Sequence, residues 1–178
     1  GSYGYRRFGA GGSVRLGEGD LLVAGQAKFN DGPWELPEDF EGYSAFVKYS
    51  QPLGEGDLSL SYSLFDASWA PTEQIPERAV GTPVCADRFC SIDSTLRGET
   101  ERHIFTANYL SDSWRVTAYA QRYDWDLLSN FTYFLEDPVN GDQLRQYDEL
   151  WTFGGRVEHT ARLSDAFSLR VGAEGRYD

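Results

Sequence analysis

Eight short segments in which apolar and polar residues alternate are joined in turn by tight turns and by long acidic stretches. The tight turns are "LGEGD" (16–20), "PLGEGD" (52–57), "LSDS" (110–113) and "RLSDA" (162–166); the long stretches cover about 30–42, 66–102 and 129–148. Period-two alternation predicts strands with one apolar and one polar face. Short turns at one end and long loops at the other form the asymmetry of a membrane β-barrel. The expected fold is therefore all-β: an antiparallel up-and-down transmembrane β-barrel with about eight strands in four hairpins.

The last segment shows the alternation best. Phe167, Leu169, Val171, Ala173, Gly175 and Tyr177 share one face; Ser168, Arg170, Gly172, Glu174 and Arg176 share the other. The same rule sets Leu21, Val23, Gly25, Ala27 and Phe29 against Leu22, Ala24, Gln26 and Lys28. The polar faces carry Arg7, Arg15, Lys28, Lys48, Arg115, Arg156, Arg170 and Arg176 but few acids. A dry core could not hold so many unpaired charges, whereas a water-filled lumen could. On the apolar faces, Tyr49, Tyr109, Trp114 and Phe167 stand beside the short turns, and Phe29, Tyr43, Trp151 and Tyr177 beside the loops. That is the layout of two aromatic girdles around an apolar band. A soluble antiparallel sheet with one wet face is the competing reading. Arg122 falls on the apolar parity of its segment, followed by Asp124 and Asp126; Asp66 and Ser68 do the same after Leu64. Either the membrane ends near Gln121 and the strand continues beyond it, which we favour, or a bulge shifts the parity.

Charge separates along the same lines. The net charge is −12, of which the three long stretches carry −11 and the remaining segments −1. With no basic patch to offset this field, nucleic-acid binding is not expected. No run approaches the roughly 20 apolar residues of a membrane helix, which excludes helical spans only.

Candidate sites are few. Cys85 and Cys90 in "VCADRFC" favour a local disulfide in an oxidising compartment over zinc, since a structural zinc site wants four ligands and neither histidine is near. Closing so short a ring contributes about 2 kcal/mol. No catalytic constellation is apparent around His103 or His159, and no cofactor is expected. "NDGPWELPEDFEG" (30–42) is acidic but lacks calcium-loop spacing, so no metal site is expected. Trp34, Phe40, Trp69, Phe131, Tyr133 and Phe134 are placed either to contact a ligand or to anchor the loops by packing.

Three stretches resemble loops of TonB-dependent outer-membrane receptors: "DGPWELPEDF" (31–40), "WAPTEQIPERAV" (69–80) with "CSIDSTLRGETER" (90–102), and "SNFTYFLEDPVNGDQLRQYDE" (129–149). The resemblance extends over essentially the whole chain. It implies a bacterial outer-membrane barrel, usually of 22 strands and filled by an N-terminal plug. Such receptors import a scarce nutrient (siderophore, cobalamin, metal or glycan) with energy relayed by the TonB complex. Residues 1–178 would then be part of the barrel domain, with the plug absent and Lys28, Lys48, Arg115 and Arg170 facing the plug or lumen. The expected partners are outer-membrane lipid, the plug, the TonB complex and a small-molecule substrate. No covalent chemistry is expected. The rival readings are a complete small eight-stranded outer-membrane barrel with a structural or adhesive role, an outer-membrane hydrolase, and a soluble lectin-like sandwich.

Overall fold

The computed structural model describes all 178 residues. Eight strands follow one another: β1 (Arg6–Leu16), β2 (Gly19–Asn30), β3 (Phe40–Leu53), β4 (Gly56–Trp69), β5 (Arg97–Ser111), β6 (Trp114–Ser129), β7 (Leu144–Ser164) and β8 (Phe167–Tyr177). They form one antiparallel sheet in sequential order. A sandwich would need two sheets. The sheet is open: β1 and β8 pair only with β2 and β7. One 3₁₀ turn, Glu77–Ala79, interrupts the longest loop.

The short connections are two residues each. Gly17 and Gly54 open the first two with φ of 63° and 61°, the left-handed position that tight hairpin turns require. The strands run further into the acidic stretches than the sequence suggests, so the loops shrink to 31–39, 70–96 and 130–143. Backbone pairing explains this. Polar side chains such as Asp66, Glu99 and Asp148 have no apolar face to bury, yet their backbones continue the ladder.

Register settles the parity question. The only irregularity lies between Arg162 and Ser164. Hence Leu64, Asp66 and Ser68 share a face, as do Ala120, Arg122, Asp124 and Asp126. No bulge intervenes. One transverse row of this face reads Val23, Val47, Tyr62, Phe105, Ala120, Phe153 and Tyr177. Two rows towards the loops it reads Ala27, Tyr43, Asp66, Glu101, Asp124 and Glu149. One face therefore changes from apolar to acidic along its length.

Aromatic rings fix neighbouring strands. A Cβ on Gly19 would strike the Tyr49 ring and one on Gly56 the Tyr109 ring, each also meeting a backbone carbonyl; one on Gly154 would strike the Tyr119 side chain. Little of the sheet is buried. Phe8, Val23, Phe105 and Val171 of the apolar face remain exposed, while Cys85, Cys90, Leu96, Ser129, Asn130 and Tyr133 are buried at the loop end.

Candidate functional site: the loop end and the polar face

The three long loops fold on one another through side chains. Asp93 is the hub. Its carboxylate accepts from Asn130 Nδ2 and Gln143 Nε2, both at 2.8 Å, and from the Thr95 backbone N–H and hydroxyl. Partial burial opposes its ionisation. The donors outweigh that cost and hold the carboxyl at about 2. Asn130, 2% exposed, also gives its backbone N–H to Glu73 at 3.0 Å. Tyr133, 6% exposed at φ 60°, donates its hydroxyl to the Gln74 carbonyl. These bonds tie 70–96 to 130–143. Loop 31–39 joins through Glu35 N–H to the Phe89 carbonyl at 2.8 Å and through Trp34 against the Phe89 ring.

Within 130–143 the acids serve the backbone. Asp142 accepts the N–H groups of Leu135, Glu136 and Asp137, and its carboxyl is held at about 2 by backbone and side-chain donors. Asp137 accepts from Val139 and Asn140, which lowers its carboxyl too. Cys85 and Cys90 form a disulfide with Cα atoms 5.4 Å apart, inside the usual range. The Cys85 carbonyl also accepts from Gly81 and Thr82.

The six aromatic loop candidates divide. Tyr133 and Trp34 anchor loops. Trp69 lies 5.4 Å from Trp125 by ring centroids, and Phe40 lies under the Lys28 ammonium at 4.9 Å. Phe131 and Phe134 are exposed, at 63% and 54%. Asp93, Asn130, Gln143 and Glu73 are the determinants that sequence reasoning missed.

Lys28, Lys48, Arg115 and Arg170 share the face opposite the apolar rows, by register. Arg115 is 3.7 Å from Glu158, which Arg156 also contacts, and Arg170 donates to Thr160. A concavity of about 450 Å³ on this face is lined by Gln26, Ser44, Phe46, Ser63, Phe65 and Arg102 among others. On the apolar-parity face beyond the apolar rows, a cavity of about 360 Å³ gathers Asp66, Glu99, Glu101, Asp124 and Asp126 with Tyr147. Arg122 pairs with Asp124 at 3.0 Å and Arg145 with Asp126 at 2.7 Å. No group of three or more His, Cys, Asp or Glu is arranged to hold a metal ion.

His103 meets the Tyr62 hydroxyl at 2.6 Å and the Glu101 carboxylate, and His159 meets the Ser113 carbonyl. Neither histidine is bonded to a serine hydroxyl. No helix is long and apolar enough to cross a membrane.

No family model, curated protein or solved structure matches the chain.

Proposed function

We propose that this chain is part of the barrel of a TonB-dependent receptor in a bacterial outer membrane. In the full-length protein its loops would capture a small nutrient: a siderophore, cobalamin, a metal or a glycan. The observation that carries the reading is the sheet's two unlike faces. Apolar rows on one side suit lipid, and the opposite face, with its arginines and lysines, suits a hydrated lumen or a plug. The folded acidic loops all lie at one end, beyond those rows, as an external capture surface requires. The open edges support a larger barrel over a closed eight-stranded one, because an unpaired strand edge is costly in lipid. Capture followed by plug movement, driven through the TonB complex, needs no covalent step and no cofactor in this chain.

The test is uptake and binding of candidate nutrients by the full-length receptor in intact cells, with and without residues 70–96 and with and without TonB. Import that depends on both supports the reading. Uptake and binding unchanged by either deletion would sink it.

A further inference from the structure

Loop 130–143 combines a fixed backbone with unburied apolar side chains. Asp137 and Asp142 together bond five backbone N–H groups of the loop, and Tyr133 and Asn130 root it in the neighbouring loop. On that frame Phe131 (63%), Phe134 (54%), Leu135 (67%) and Val139 (84%) stand exposed. A rigid loop presenting apolar groups to water marks a docking surface.

Three occupants can be compared by charge and distance. Lipid is the first. Between the last apolar row, Ala120–Phe153, and the loop root, Ser129–Leu144, lie eight residues of each paired strand, so the two are about 30 Å apart along the strand. Asp124, Asp126 and Glu149 occupy the same face on the way. Lowering the loop into acyl chains would drag those carboxylates with it. A second copy is the next. It brings the same net charge of −12 and the same acidic loops, so the two copies repel. A cationic chain is the third. The stretch 129–148 holds Glu136, Asp137, Asp142 and Asp148 against one base, Arg145, already paired with Asp126. Glu136 is exposed next to Leu135 in the chain, and Asp148 is exposed on β7, four residues beyond the loop root at Leu144. Apolar anchors on a loop of net negative charge match a partner with an apolar face flanked by lysine or arginine.

We infer that the Phe131–Phe134–Leu135–Val139 surface docks a cationic polypeptide segment with an apolar face. The inference rests on the outer-membrane reading only for which side of the membrane the partner approaches from.

The test uses the full-length protein in lipid nanodiscs and two synthetic amphipathic peptides of equal length, one of lysine and leucine, one of glutamate and leucine. The lysine peptide should bind and the glutamate peptide should not. Binding should weaken at least tenfold from low to high salt. Phe131→Ser with Leu135→Ser and Val139→Ser should weaken it at least tenfold. Glu136→Lys with Asp148→Lys, surface changes that leave the Asp142 frame intact, should do so too. Equal binding of both peptides, capture by protein-free nanodiscs to the same extent, or no change in either variant overturns the inference. Nutrient uptake that persists while peptide binding fails removes only this inference; absence from the outer membrane with peptide binding retained removes only the receptor reading.

Discussion

The sheet and the loop end are held by different kinds of bond. Of 109 backbone–backbone hydrogen bonds, 95 lie within regular elements and 14 elsewhere. The sheet is thus fixed by a ladder that any sequence of correct period can make. The loop end relies instead on a few side chains, chiefly Asp93, Asn130, Tyr133 and Asp142, and on burial that is sparse in the sheet. A periodic structure tolerates substitution at most positions because each bond is one of many. An aperiodic one concentrates its stability in residues that cannot be exchanged.

Asn130→Asp should separate the two regions most sharply. It places a buried carboxylate beside Asp93 and Glu73, at a cost of roughly 4 kcal/mol to the loop end. Hydrogen exchange should show loss of protection in 70–96 and 130–143 with the ladder β1–β8 unaffected. Loss of protection throughout would show that the two regions fold as one. Gly56→Val reverses the comparison. Its side chain strikes the Leu110 carbonyl and the Tyr109 ring, costing about 3 kcal/mol in the β4–β5 pairing. Strand amides should lose protection while the Asp93 cluster stays intact. Cys85→Ser with Cys90→Ser should cost about 2 kcal/mol locally, seen as faster proteolysis between residues 79 and 91 and unchanged strands.

The smallest effect is one of pH. Asp93 has its carboxyl lowered in the folded state, so its contribution is complete above the unfolded carboxylate range, about 4. It is lost as pH falls through the folded value of about 2. Loop protection should therefore decline between about pH 4 and pH 2. Asp93→Asn should flatten that decline in part, since Asp142 is also held at about 2 and titrates in the same window.

The sheet was legible because strand parity repeats every two residues. Leu58, Leu60, Tyr62 and Leu64 declare a face without knowledge of anything distant. The strand ends were less so: Asp66, Glu99 and Asp148 read as loop because charge, not backbone pairing, is what a sequence displays. The loop end was hidden for another reason. Asp93 and Asn130 are 37 residues apart, and no local pattern marks them as partners. "DPVNGD" (137–142) was the one readable signal, since Asp, Asn and Gly are residues that build turns around their own backbone N–H groups. Of the aromatic candidates, nothing in their order separated Tyr133, which is buried, from Phe131 and Phe134, which are not.

The rings of Tyr49, Tyr109 and Tyr119 over Gly19, Gly56 and Gly154 bear on how the strands find their alignment. A two-residue turn dictates which residues face each other in β1–β2, β3–β4, β5–β6 and β7–β8. The pairs β2–β3, β4–β5 and β6–β7 are joined by long loops, which impose no such alignment. Each of those three pairs, and none of the tightly turned ones, carries a tyrosine seated on a glycine of the facing strand. A slip of one residue would carry the ring to the opposite face and leave the glycine bare. The chain thus keeps its place by two means, a turn where the connection is short and a ring in a notch where it is long.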